Sequence, residues 1–234
     1  YEILKKGRDR RQPLELDMPE RKILLKPDGT VDRVFVPPRL DAHKLIEEMM
    51  IQANVAAAET LEKRKQVLIY RIHDGPTLAK QEILREFLAT LGISLAKGGN
   101  VRANSFNGIL AKAEGTAHQT MVNEMVLRSQ SQAIYSPDNI GHFGLNLMKY
   151  AHFTSPIRRY ADLIVHRALV SSLGLGEGGI TPDEEASLDD IAAEISTFER
   201  RAMAAERETV DRLIAHHLAG KVEISAAISS SEAS

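Results

Sequence analysis

The sequence predicts an α+β fold in which short strands and a hairpin come first and a mainly helical C-terminal half follows. Three observations predict it. Apolar residues alternate with polar ones at Leu14, Leu16 and Met18, an early strand pattern. The turn signal Asp28-Gly29 separates the apolar run from Ile23 to Leu25 from Val31, Val34 and Val36, which reads as a hairpin. Later in the chain, helix-start and helix-stop signatures accumulate, most completely at Thr181-Pro182-Asp183-Glu184.

The elements follow in order. Tyr1-Glu2-Ile3-Leu4 reads as the tail of an element already under way, and the basic stretch from Lys5 to Arg11 follows it. That stretch is either a solvated helix end or a basic lip beside an anionic ligand. Two or three short strands come next and Pro37-Pro38 ends them. Asp41 is a suitable N-cap for a long helix to about Lys65. Leu45, Met49, Gln52 and Ala56 share one face of it, beside Ile46, Met50 and Ala53. Val67 to Ile72 reads as a buried strand, His73-Asp74-Gly75-Pro76 as a turn, and Leu78 to Leu91 as a helix closed by Gly92. Lys97 to Asn107 reads as a polar loop. Helices follow at Ile109 to Ala113, at Gln119 to Ala133 and from near Pro156 to Leu173, with a glycine-rich break after the last. One or two helices then reach about Leu218. Lys221 to Ile228 has the pattern of one strand, and Ser229 to Ser234 reads as a disordered tail.

Composition narrows the function classes. The chain has 234 residues, 43% hydrophobic and 26% charged, which is ordinary globular material. No apolar run is long enough for a membrane span, and the start lacks a signal-peptide pattern. With no cysteine, disulfides, thiolate metal sites and a cysteine nucleophile are excluded, and the composition fits a cytoplasmic protein. The formal net charge is −2, so any case for nucleic acid must come from a local patch.

That patch lies between His142 and Arg167. Ser155 before Pro156 predicts an N-cap followed by proline at the first helical position. Thr154 adds a second hydroxyl, and Arg158 and Arg159 fall in the expected first turn. Free amides, a positive dipole end, two hydroxyls and two guanidiniums together suit a phosphate. Arginine there runs against the usual preference for acidic residues. Arg158, Asp162 and His166 are spaced four apart and share one helix face. The plainer reading of that spacing is an Arg–Asp pair and a histidine at the edge of the core. Phe143, Tyr150, Phe153 and Tyr160 flank the stretch and suit base stacking, although each alone also suits a core. Arg200-Arg201 and Glu206-Arg207 alternate in sign, as a solvated helix face does. The adjacent His216 and His217 do not suggest a metal site, and no dinucleotide, Walker or nucleophile-elbow motif is present.

Gly141-His142-Phe143-Gly144-Leu145, then Tyr150-Ala151-His152-Phe153-Thr154-Ser155-Pro156-Ile157-Arg158-Arg159-Tyr160-Ala161-Asp162-Leu163, then His166-Arg167, resembles the signature of the ribonuclease II / ribonuclease R family, the RNB catalytic domain. The pattern is nearer to ribonuclease R, because both His-Phe-Thr and Arg-Arg-Tyr are present. The resemblance extends in order over the Leu14 to Pro19 segment, the Asp41 to Glu48 helix start, Arg71-Ile72-His73-Asp74 and Ala204-Ala205-Glu206-Arg207.

The resemblance implies hydrolytic, processive 3′-to-5′ degradation of single-stranded RNA to nucleoside 5′-monophosphates, with magnesium held by aspartates. It implies that Arg158 lies near the scissile phosphate and that Glu206 lies near the same site. Either Glu47 or Glu48 would contact the 3′-terminal nucleotides. Thr154, Ser155, Arg159, Tyr160 and His166 match motif positions on the RNA side. The family's Asp-x5-Asp-x-Asp-Asp cluster is not reproduced by Asp183, Asp189 and Asp190. The expectation is therefore the C-terminal part of the catalytic domain over residues 1–219, with 220–234 a stub of an oligonucleotide-binding fold or a tail. Metal ligands, an aromatic clamp and the flanking oligonucleotide-binding folds are expected outside this chain, which alone would be inactive. A stand-alone RNA-binding or regulatory module and a structural protein without an RNA role are the rival readings.

Overall fold

The computed structural model describes residues 1–18, 20–96 and 101–219. In chain order the elements are α1 (Glu2–Arg11), β1 (Lys22–Leu25), β2 (Val31–Phe35), α2 (Asp41–Lys63), β3 (Tyr70–Ile72) and α3 (Leu78–Thr90). Then come α4 (Ala103–Ala113), α5 (Gln119–Ser129), β4 (Ile134–Ser136), α6 (Tyr160–Leu173), α7 (Pro182–Ala186) and α8 (Leu188–Ala219). The α+β class holds. The expected strand and tail after residue 220 lie outside the described residues. Among those described, no helix is long and apolar enough to cross a membrane.

The chain divides into two compact units. One comprises Tyr1–Met18 and Arg39–Ser196, the other Pro19–Pro38 and Thr197–Ser234. In the second unit β1 and β2 pair antiparallel, with Ile23 opposite Val34. Their turn forms as the Asp-Gly signal requires. Gly29 takes a φ of 83°, and Asp28 Oδ1 accepts from the Thr30 amide at 2.9 Å.

The first unit has two apolar cores. One joins Ala58 and Leu61 of α2, Ile69 and Ile72 around β3, Ile164, Val165 and Ala168 of α6, and Leu188 and Ala192 of α8. The other joins Leu84 and Leu88 of α3, Phe106 and Ile109 of α4, and Val122 and Val126 of α5. Leu14 and Leu16 pack on this second core, but their segment is not a strand. Its amides find scattered partners instead: Leu14 N–H donates to the Gly144 carbonyl at 2.7 Å, and Glu15 N–H to Asn107 Oδ1 and Asp17 N–H to Asn123 Oδ1, both at 2.9 Å. Nor do the strands all lie early. β4 pairs antiparallel with β3, Arg71 opposite Tyr135.

The expected face of α2 is not the buried one. Glu48, Ile51, Asn54, Ala57, Ala58 and Leu61 are buried, while Ile46, Met49 and Met50 are exposed. Two of the buried residues are polar, so hydrophobic periodicity pointed the wrong way in the first half of the helix. The N-cap is Leu40 rather than Asp41, and its amide donates to His43 Nδ1 at 3.0 Å. At α7 the expected capping box is formed, with Glu184 accepting from the Thr181 amide at 2.9 Å.

A loop over residues 141–150 is strung along β3. Arg71 N–H donates to the Tyr150 carbonyl, His73 N–H to that of Gly141, and Phe143 N–H to that of His73. His73 Nδ1 accepts from the Gly144 amide at 3.0 Å, and its Nε2 donates to the Ser131 carbonyl at 2.9 Å. A Cβ on Gly144 would meet His73 Nδ1 at 3.0 Å, so any larger residue there would have to push the histidine ring aside. His142 Nδ1 accepts from the Leu145 amide at 3.1 Å. His142, Tyr150, His152 and Tyr135 then meet edge to face in succession. Burial, with His73 and Arg71 nearby, pushes the His142 pKa down to about 3. Burial, with Arg159 and Arg71, does the same for His152.

Phe106 is fully buried, so Phe106→Ala should cost about 3–5 kcal/mol in urea denaturation. A loss under about 1 kcal/mol would mean the second core is not cooperative with the rest. His142 and His152 stay neutral in the fold but take protons below pH 6.5 once unfolded. Their contribution is therefore complete above that pH and declines as pH falls toward about 3. The slope is about 1.4 kcal/mol per histidine for each pH unit. Denaturation midpoints at several pH values read this, and His142→Asn should flatten the curve.

Candidate nucleic-acid interface

The helix expected to begin at Pro156 begins at Tyr160. Residues 155–158 form a turn instead, in which the Ser155 carbonyl accepts from the amides of Arg158 at 3.3 Å and Arg159 at 3.1 Å. Ser155 is therefore not an N-cap, and neither arginine lies in the first helical turn. The cause is Asp162, whose carboxylate is fully buried. Its Oδ1 accepts from the Ser155 amide at 2.7 Å. Its two oxygens also take Arg159 through Nε at 2.7 Å and Nη2 at 2.8 Å. Burial alone would lower the Arg159 pKa, but the hydrogen bonds and charge of Asp162 raise it above the ordinary value.

The expected four-residue spacing is thus replaced. Asp162 pairs with Arg159, three residues away, and not with Arg158. Arg158 is exposed, and its guanidinium makes no hydrogen bond or ion pair among the described residues. His166 Nε2 donates to the Phe153 carbonyl at 2.8 Å, and its ring stacks on Phe153 at 4.3 Å. It fixes the segment leading into Thr154. The expected stacking aromatics are mostly engaged internally. Phe143 packs edge to face on Phe106 and His73, whereas Tyr160 remains 47% exposed.

A cleft of about 430 Å³ opens between the start of α2 and this segment, lined by Glu47, Met50, Asn54, Tyr150, Thr154 and Arg159 among others. Asn54 ties its walls together. Its Nδ2 donates to the Tyr150 hydroxyl at 3.0 Å, and its Oδ1 accepts from the Phe153 amide at 2.9 Å. Thr154 Oγ1 is buried without a hydrogen-bond partner among the described residues. A buried hydroxyl left unpaired is costly, and a bound polar group relieves the cost.

The two candidate glutamates differ. Glu48 is 2% exposed. Its carboxylate accepts from Arg8 at 2.9 Å and from Arg11 at 3.1 and 3.2 Å, which secures α1 to α2. Two residues of the basic N-terminal stretch are therefore internal partners. Glu47 lines the cleft and carries an ion pair with Arg39. Glu206 is exposed on α8 within the second unit. Asn54 is not among the site residues the sequence suggests, and Tyr150 is suggested only as a stacking ring, whereas its hydroxyl takes the Asn54 amide in the cleft. A lone asparagine in an otherwise apolar stretch of α2 was the available signal. Among the described residues no three His, Asp or Glu side chains converge as a metal would require.

Residues 1–174 match the RNB domain. The chain is 39% identical over 222 residues to ribonuclease R of Vibrio parahaemolyticus, covering 91% of this chain and 27% of that protein. It therefore spans about a quarter of the length of such relatives. Among solved structures it resembles Mycoplasma genitalium RNase R in complex with ribose methylated single-stranded RNA. That match has a TM-score of 0.86 at 26% identity, over 94% of this chain and 35% of that one. It also resembles the same organism's RNase R in complex with double-stranded RNA, with a TM-score of 0.87 at 26% identity, over 95% and 40% of the two chains. A family match over most of the chain, the relatives' identity and the shared fold agree: the chain belongs to the RNB domain family.

Proposed function

We propose that this chain holds the 3′ end of single-stranded RNA within a hydrolytic, processive 3′-to-5′ exoribonuclease that releases nucleoside 5′-monophosphates. The observation that carries the reading is the cleft. It has a carboxylate, Glu47, on one wall and a buried, unpartnered hydroxyl, Thr154 Oγ1, on the other. The exposed Arg158 stands on the turn that follows Thr154 in the chain. The relatives are ribonuclease R, and a structural neighbour carries single-stranded RNA.

The chemistry divides by charge. Glu47 repels phosphate and accepts from sugar hydroxyls, so the terminal ribose belongs in the cleft with Thr154 and the Tyr150 hydroxyl. Arg158 belongs on a phosphate, where a guanidinium neutralises charge gathering on the oxygens. Tyr160 offers an exposed ring to a base. Ser155, Arg159 and His166 shape the wall behind these groups, and the role proposed for Glu206 in the reaction rests on family resemblance alone. The resemblance also implies magnesium. The described residues do not fit a metal site, so the work assigned to this chain is holding the strand and neutralising its phosphate.

Fluorescence anisotropy with a 3′-hydroxyl oligoribonucleotide tests the reading. Affinity should fall as salt rises, and the deoxy strand should bind more weakly because it lacks the 2′-hydroxyl the cleft reads. Arg158→Ala should weaken binding about tenfold, the scale of one charge-assisted contact. It should also lower the salt slope by about 0.7, the value for one single-strand phosphate. Equal binding of RNA and DNA, or no salt dependence, would contradict the proposal.

A further inference from the structure

We propose that Asp162 is a positioning residue for the RNA phosphate. On this proposal the two adjacent arginines have opposite jobs, Arg158 meeting the ligand and Arg159 serving as an internal strut. The inference rests on the reading that Arg158 contacts a phosphate.

The geometry separates positioning from ordinary helix capping. An aspartate in the first turn of α6 normally serves that helix's own free amides. No side chain of the N-cap residue bonds the start of α6. Asp162 reaches out of the helix instead, to the amide of Ser155, seven residues back. Its remaining capacity goes to Arg159, which it grips through both Nε and Nη2. The fork geometry fixes the Arg159 side chain in direction as well as distance.

The consequences appear on either side of the clamp. Holding the Ser155 amide holds the turn of residues 155–158, so Arg158 is presented to solvent with its guanidinium free among the described residues. Thr154 directly precedes that amide, and its hydroxyl has no hydrogen-bond partner among the described residues. On the other side, His166 holds the Phe153 carbonyl at 2.8 Å. Thr154 is thus fixed from both flanks by residues of α6. Arg159 lines the cleft, yet its charge is matched by a fully buried carboxylate, whereas Arg158, on the turn that follows Thr154, has no ion-pair partner among the described residues.

A double-mutant cycle on RNA binding by the whole chain tests this. Arg158→Ala, Asp162→Asn and the combined variant are titrated with the same oligoribonucleotide over a range of salt. Thermal unfolding on the same samples confirms that each is folded at the assay temperature. If Asp162 acts through Arg158, each single variant loses about tenfold and the combined variant loses no more than that. Asp162→Asn also lowers the salt slope by about 0.7, as Arg158→Ala does, which a general loss of stability would not do. A combined loss of about a hundredfold, or an unchanged slope in Asp162→Asn, overturns the inference. Should Asp162→Asn fail to fold, Arg159→Lys decides. It keeps the charge but loses the two-point grip, and should weaken binding about threefold only while Arg158 is present. A loss that persists in the Arg158→Ala background overturns the inference. If Arg158→Ala alone leaves binding unchanged, the phosphate reading itself fails and takes the inference with it.

Discussion

The buried carboxylate of Asp162 determines the shape of the segment on which the proposed RNA site depends. Removing a carboxylate from water is costly unless its lone pairs are filled. Here they are filled by one backbone amide and one guanidinium fork. Filling them delays the start of α6 to Tyr160, turns the chain at residues 155–158 and divides the Arg-Arg pair into an inner and an outer member.

The opposite wall of the cleft rests on the same physics. Glu48 is buried against two arginines of α1, and its neighbour Glu47 lines the cleft. A buried salt bridge is a weak source of net stability, but breaking one side of it is expensive. The α1–α2 cluster therefore specifies where Glu47 stands more than it strengthens the fold. Asn54 joins the two walls through Tyr150 and Phe153, so the cleft is braced by buried polar contacts between elements about a hundred residues apart. Behind it, neutral histidines accept backbone amides and hold the glycine-containing loop against β3.

How much was legible in the sequence depended on whether the deciding contact was local. The Asp28-Gly29 hairpin and the Thr181–Glu184 capping box form as read, because each is settled within four residues. The family signature and the fold class were also legible. The start of α6 was not. Ser155-Pro156 is a sound local cap signal, and a tertiary hydrogen bond from Asp162 overrides it. The buried face of α2 was misread for a related reason. Periodicity assigns apolar residues inward, but Glu48 and Asn54 are buried because Arg8, Arg11 and Tyr150 satisfy them across long sequence separations. Met50 and Ile46, left outside that face, line the cleft instead. Strand β4 was missed because three residues carry too little pattern.

The proposed site puts a terminal ribose in the cleft between Glu47 and Thr154 and a phosphate on Arg158. A crystal structure of the chain with a short 3′-hydroxyl oligoribonucleotide would decide it. The last ribose should lie in the cleft with a hydroxyl paired to Thr154 Oγ1, and a phosphate should lie within hydrogen-bond distance of Arg158, with the Asp162–Arg159 pair intact. RNA bound elsewhere, with Thr154 Oγ1 still unpaired, would contradict it.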